Sequence, residues 1–380
     1  MFRQYKLRNY DFKLIIFVTI LSLIGYLAIG SAKESVQSKQ MYGIIIGFVL
    51  MIILSLIDYS HYLFLYWVFY GANVILLASV LAFGRDVNGA TRWIVIAGIQ
   101  FQPSELAKIL LILFFSQFIM KYKDKINSPK VLIMAILLLA LPLGLIYLEP
   151  DLSTSIMIIL TFCIMLFVGG LSFKFVGAVL AVVIPVLVGF FTIILSPGGI
   201  DLIPEDFQYQ IRRILAWLEP EKYADTTAYQ QINSKIAIGS GQLYGKGLNN
   251  NVIASVKNGN FISEPQTDFI FAVIGEELGF IGGFTVVLLV FLIVWECFKI
   301  ARNAKDLAGS IIAAGVGGLV GLQSFLNIAV ATGLAPNTGI PLPFVSYGLT
   351  SLVCLYAAVG IVLNIGLQQK NTSFAQKRGL

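Results

Sequence analysis

Charge is scarce in this chain: Asp, Glu, Lys and Arg make up only 12% of its 380 residues, against 58% hydrophobic residues and a mean hydropathy of +0.86. That scarcity excludes a water-soluble globular domain and points to a polytopic membrane protein, one bundle over residues 1–380 rather than several soluble domains. Cysteine is equally sparse. Cys163, Cys297 and Cys354 all fall inside apolar stretches, which reads as small buried hydrophobes and not as a disulfide or metal framework. A basic face interleaved with aromatics is missing as well. The net charge of +6 comes from Lys and Arg dispersed over inter-helix segments, so the excess reports membrane orientation and no nucleic acid is implied. A nucleotide loop is also lacking. Gly239 to Gly247, GSGQLYGKG, comes nearest to one, yet a Walker A pattern would need glycine at Ser240 and Ser or Thr at Gly247.

What is present is a series of apolar runs. Ten spans lie at about 14 to 32, 41 to 57, 61 to 83, 104 to 120, 131 to 148, 152 to 169, 173 to 195, 268 to 298, 306 to 332 and 346 to 367, each near or above the roughly 20 residues that cross a bilayer core. The first, preceded by Arg3, Lys6 and Arg8 and ending at Gly30-Ser31-Ala32, has the outline of a signal peptide but too long an apolar run. Orientation follows from the loops. Basic residues gather at the N-terminus, at Lys121, Lys123, Lys125 and Lys130, at Lys299, Arg302 and Lys305, and at Lys370, Lys377 and Arg378. The short loops on the other side hold only Lys33, Lys39, Arg85 and Arg92. By the positive-inside rule both termini are expected in the cytoplasm. Residues 196–267, between spans seven and eight, then form one large extracytoplasmic loop.

That loop has helical periodicity. Ile211, Ile214, Leu215 and Leu218 beside Arg212 and Arg213 predict an amphipathic helix on the outer membrane surface, ended by Pro220, and a second helix is expected from about Ala228 to Ile238. The glycine run after it reads either as a flexible turn or as a backbone cradle for a lipid phosphate, with Lys246 as its cation.

Polar residues cluster at the predicted outer ends of the spans. Asp268, in SEPQTDFIFAVIGEELG, stands where the loop meets an apolar helix, with Glu264, Thr267, Glu276 and Glu277 around it. An ionisable group at a membrane edge is costly and therefore a candidate for function, although Asp is also favoured at helix N-termini by capping. Glu105 and Lys108, three apart after the helix-start pair Pro103-Ser104, share one helix face, either as an ion pair or lining a wet cavity. Arg92 with Trp93 suits a pyrophosphate and a sugar ring, and equally an aromatic belt. Glu149-Pro150-Asp151 forms a tight outer turn. The run from Pro336 to Gly348 carries too much Pro and Gly to be helical throughout, so at membrane depth it must be buried in protein or line a cavity.

The strings NGATRWI, FQPSELAK, EPDLSTS, AIGSGQLYGKG, EPQTDFIFAVIGEELG and TGIPLPFVSYG, in this order, resemble the SEDS (shape, elongation, division and sporulation) family, the RodA and FtsW type of bacterial peptidoglycan glycosyltransferase. The resemblance runs through nearly the whole chain. It implies polymerisation of lipid II, the undecaprenyl-pyrophosphate-linked disaccharide peptide, on the outer face of the bacterial cytoplasmic membrane, with a class B penicillin-binding protein as partner. Asp268 matches the family's essential aspartate, Arg92 and Trp93 its RW pair, and Glu105 and Lys108 its SE..K positions. The chain departs from the family at Gln266, where His is common, at Glu149 and Ser153, where Gln and Gly are frequent, and at Leu349, where a second glycine is usual. The lack of a long cytoplasmic tail leans toward the RodA-like elongation branch.

Glycosyl transfer itself demands a base for the acceptor hydroxyl, positive charge for the departing pyrophosphate and a cavity open to lipid. Asp268 supplies the base; Arg92, Lys108 and Lys246 supply cations. Mg²⁺ or Mn²⁺ would find ligands in Asp268 or Glu264, and the sequence leaves metal dependence open. No nucleotide is required, because a polyprenyl pyrophosphate carries its own activation. A lipid II flippase would use a similar charged cavity without making bonds, but it calls for charges along the whole path.

Overall fold

The computed structural model describes residues 9–87, 90–96, 99–194, 196, 205–249, 255, 259 and 261–369. Asp11 starts the first helix, its carboxylate accepting the Leu14 amide at 3.1 Å, and α1 runs Phe12–Ala32. An extended Lys33 separates it from α2 (Glu34–Leu56). The expected third span is two helices, α3 (Tyr59–Phe64) and α4 (Tyr66–Phe83). There follow α5 (Pro103–Lys121), α6 (Pro129–Leu148), α7 (Leu152–Val168), α8 (Phe173–Ile194), α9 (Glu205–Leu218), α10 (Tyr229–Ser240), α11 (Ile270–Asn303), α12 (Leu307–Ala331) and α13 (Leu349–Leu367). Pro103 and Pro129 stand in the first turns of α5 and α6, where a missing amide costs nothing.

Among the described residues nine helices are long and apolar enough to cross a membrane, and α7, at 17 residues, is apolar but shorter. These ten correspond to the ten expected spans. The chain is thus an all-α polytopic membrane protein. Helices α5, α12 and α13 are buried on most faces and form its centre, whereas α8 exposes most of its described apolar side chains, as a helix bathed in lipid does. Cys297 and Cys354 are buried as expected, but Cys163 is exposed on α7, where lipid instead of protein supplies the apolar surroundings. Of the residues behind the charge asymmetry, Arg3, Lys6, Arg8, Lys370, Lys377 and Arg378 lie outside the described residues.

Three features depart from the sequence reading. First, a small antiparallel meander joins α4 to α5: β1 (Arg85–Val87), β2 (Ala90–Ile96) and β3 (Ile99–Phe101), with Val87 opposite Ala90 and Ile94 opposite Phe101. Second, α9 does not simply lie on a membrane surface. Its Ile211 and Leu215 are buried with Ile194 and Tyr223, and Trp217 Nε1 donates to the Gly333 carbonyl at 2.9 Å.

Third, α11 is broken. Gly279 adopts φ 64° and ψ −161°, a region open in practice to glycine alone. The break frees carbonyls and amides that lipid cannot satisfy, and the GSGQLYGKG turn satisfies them. Lys246 N and Gly247 N donate to Glu276 O and Glu277 O at 3.0 and 2.9 Å, while Phe280 N and Ile281 N donate to Gln242 O and Leu243 O at 2.8 and 3.2 Å. Glycine is needed for this approach. A Cβ on Gly241 would stand 1.9 Å from Gly275 O, and one on Gly245 2.1 Å from Glu277 O. The turn is therefore a clasp on the broken helix: the amides of Gly245, Lys246 and Gly247, which a phosphate cradle would use, already donate to Gly241 O, Glu276 O and Glu277 O.

Candidate active site

A cavity of about 2260 Å³ opens among β2, α2, α5, α7, α9 and the segments before α11 and α13. Of the residues singled out by sequence, Arg92, Trp93, Glu105, Lys108, Asp151, Glu264, Thr267 and Asp268 line it. Lys246 does not. Its ammonium sits 2.7 Å from Glu276 Oε1, so its charge serves the clasp, and its expected role toward a lipid phosphate is corrected accordingly.

Asp268 belongs to a turn over 265–269 and does not cap α11; the N-cap is Phe269, with no side-chain hydrogen bond. Its carboxylate therefore makes no capping bond to α11, although it stands just before that helix's first turn. The residue is half-buried, and among the described residues no hydrogen bond or ion pair holds its carboxylate. Burial pushes its pKa up to about 6, Glu264 adding to the rise while Arg213 and Arg92 oppose it. A carboxylate with that value is ionised at neutral pH yet basic enough to take a proton. Beside it, Thr267 Oγ1 donates to Glu264 O at 2.9 Å, and Glu264 pairs with Lys33 at 3.5 Å in the open.

Lys108 Nζ lies 2.8 Å from Glu105 Oε1, the two side chains 3% and 6% exposed. The spacing on α5 makes the ion pair, and its place on the cavity wall makes it available to a ligand. Arg92 is a brace as well as a cation: Nε donates to Glu149 O at 3.1 Å, Nη2 to Pro150 O, and Nη1 stands 3.9 Å from Asp151 Oδ1. Asp151 in turn caps α7, accepting from Thr154 N at 3.1 Å. Glu149 is fully buried, and among the described residues neither carboxylate oxygen has a hydrogen-bond partner. Burial, with Asp151 adding, pushes its pKa up to about 8, against the pull of Arg92.

Sequence reading missed Arg213, Lys39 and Gln323 as cavity residues. Arg213 was visible only as half of an Arg-Arg pair on an amphipathic helix; its Nη1 donates to Asn337 O at 3.3 Å, a contact with a loop more than a hundred residues away.

Over residues 8–371 the chain matches the FtsW/RodA/SpoVE cell cycle protein family. The chain belongs to this family. It is 33% identical over 384 residues to the probable peptidoglycan glycosyltransferase FtsW of Trichlorobacter lovleyi, covering 96% of this chain and 94% of that protein. To the peptidoglycan glycosyltransferase MrdB of Escherichia coli K12 it is 34% identical over 362 residues, covering 93% of each. A solved chain described under the structural coordination of polymerization and crosslinking by a peptidoglycan synthase complex matches with a TM-score of 0.75 and 28% identity, over 94% of this chain and 97% of that one. Family membership and the apolar helices together make this a multi-pass membrane protein.

Proposed function

We propose that this protein is a peptidoglycan glycosyltransferase that polymerises lipid II at the outer face of the bacterial cytoplasmic membrane. The observation that carries the reading is Asp268, its carboxylate open to the same cavity as Arg92, Lys108 and Arg213. Asp268 takes the proton of the acceptor sugar hydroxyl as that oxygen bonds to the donor's anomeric carbon. The bond from that carbon to the pyrophosphate oxygen breaks, and polyprenyl pyrophosphate leaves with its electron pair. Fixed cations on the wall stabilise the charge that develops on it. Trp93 offers a face for a sugar ring, and Glu264 and Thr267 shape the rim by Asp268.

For a divalent ion the donor set is two cavity carboxylates, Asp268 and Glu264, and among the described residues no group of three His, Cys, Asp or Glu is assembled. With Asp268 serving as base, Mg²⁺ or Mn²⁺ would have Glu264 as its protein carboxylate and would draw its other ligands from substrate phosphates and water; the ion would supply charge neutralisation at the leaving pyrophosphate. No nucleotide enters the reaction. A class B penicillin-binding protein is the proposed partner, in keeping with the synthase complex that the solved relative belongs to.

Purified full-length protein, alone and with its transpeptidase partner, should polymerise lipid II on a gel. Asp268→Asn should lower the rate about 10²- to 10⁴-fold while folding normally. Wild-type polymer from well-folded Asp268→Asn protein would remove Asp268 from the chemistry.

A further inference from the structure

Three consecutive carbonyls of the turn that carries Asp268 are each held by a different donor. The Tyr347 amide donates to Gln266 O at 2.9 Å, the Ser346 hydroxyl to Thr267 O at 2.6 Å, and Asn327 Nδ2 to Asp268 O at 2.8 Å. The second N–H of Asn327 reaches Ile340 O, also at 2.8 Å. Asn327 projects from α12 and is 1% exposed. Its amide orientation follows from chemistry, since both partners are acceptors and only the NH₂ group can serve them. Among the described residues its Oδ1 is buried without a hydrogen-bond partner, while its NH₂ group places two donors. The same loop borders the carboxylate: a Cβ on Gly339, which has φ +70°, would lie 3.5 Å from Asp268 Oδ2. Ser346 Oγ also accepts from Leu342 N at 2.7 Å, which ties the loop to itself.

We infer that Asn327, seconded by Ser346, is a positioning residue that fixes the backbone of Asp268 against the loop 336–348 and thereby aims its carboxylate at the acceptor hydroxyl. The inference rests on the reading of Asp268 as general base. Asn327 touches no substrate; it acts through Asp268. An apolar residue could fill its volume on α12 but would leave the Asp268 and Ile340 carbonyls unsatisfied in a buried place. Freed from its frame, the carboxylate would move relative to the groups that face it: Arg213 from α9, Arg92 from β2 and Glu264 from its own segment.

The test uses the full-length protein with lipid II, comparing Asn327→Ala and Ser346→Ala with wild type. A base displaced by about 1 Å loses on the order of 10²-fold in rate, so kcat should fall 10- to 100-fold in Asn327→Ala and less in Ser346→Ala. KM should stay within about twofold of wild type, because neither Asn327 nor Ser346 itself lines the cavity that binds lipid II. The acidic limb of the kcat profile should also move from its wild-type position, which a residue that only holds helices together would not cause. Should Asn327→Ala fail to fold, Ser346→Ala carries the same readouts. Wild-type kcat in both folded variants, or a rise in KM with kcat and the acidic limb unchanged, overturns the inference. The two readings fail separately: an active Asp268→Asn protein sinks the base, whereas an inactive Asp268→Asn beside fully active Asn327→Ala and Ser346→Ala sinks only the frame.

Discussion

Replacing Lys108 with Met should destabilise the protein by stranding Glu105. The ammonium and carboxylate are 2.8 Å apart, with side chains 3% and 6% exposed. At an effective dielectric of about 20, that separation corresponds to roughly 6 kcal/mol of attraction, most of it offsetting the desolvation of both charges. Removing one partner of a buried pair costs about 3–5 kcal/mol, and the cavity on one side argues for about 3. In the double variant Glu105→Gln, Lys108→Met no charge is left unpaired, so stability should return to within about 1 kcal/mol of wild type. Activity should not return with it, because the cavity has lost a cation beside the leaving group. Thermal midpoints and lipid II polymer yields from the same purified preparations separate the two effects. A double variant polymerising at near wild-type level would assign the pair to structure alone, and an unchanged midpoint for Lys108→Met would refute the burial argument itself.

As the proposed general base Asp268 would act ionised, and burial raises its pKa to about 6, so polymerisation should fall as the pH drops through about 6; an acidic limb near pH 4 would contradict the effect of burial. Glu149 has its folded pKa raised from 4.5 to about 8, so its contribution to stability is complete at acid pH and lost as the pH rises through that interval, by at most about 1.4 kcal/mol per unit. Glu149→Gln should flatten this decline in a thermal-shift series, and an unaltered slope would show that Glu149 is ionised. Gly279→Ala places a Cβ 2.3 Å from Gly245 N at φ +64°; about 1–3 kcal/mol of strain should appear as a lower thermal midpoint, and an unchanged one would mean that the clasp yields freely. With Cys163, Cys297 and Cys354 replaced, Asp225→Cys should react with an impermeant maleimide in intact spheroplasts and Asp124→Cys only after lysis. The reverse labelling would put Asp268 on the cytoplasmic side.

The ten apolar helices were legible because the bilayer imposes one length and one composition on whatever crosses it. Most of the cavity's charged residues were legible for the related reason that charge near lipid is rare and conspicuous. What could not be read were contacts between distant residues. Arg213 approaches Asp268 only through the packing of α9 beside the Pro336 to Gly348 segment, and nothing local announces it. Lys246 was misread for the same cause: the sequence displays a glycine-flanked lysine but not Glu276 facing it 30 residues later. The meander had a local signal, the Asn88-Gly89 pair before Thr91, Trp93, Ile94 and Val95, but it lay in a segment read only as the connection between spans three and four.

Asn327 shows why a polar residue within an apolar helix repays physical accounting. Lipid offers no hydrogen bonds, so a chain that leaves helical geometry inside a membrane protein must find a partner for every group it frees. Here the chain leaves it twice near one point. At Gly279 the partners are backbone groups of the GSGQLYGKG turn; at 266 to 268 they are Tyr347, Ser346 and Asn327. The short helical half between these two fixed points, Ile270 to Leu278, is thus tied at both ends, and Asp268 stands at its outer end. A general base must be held within about 0.5 Å of its productive position, and a carboxylate on an untethered loop would not be. If Asp268 is the proposed general base, the backbone repairs that the membrane demands are the same contacts that hold its backbone, and the cost of breaking the helix and the placement of the base have one structural origin.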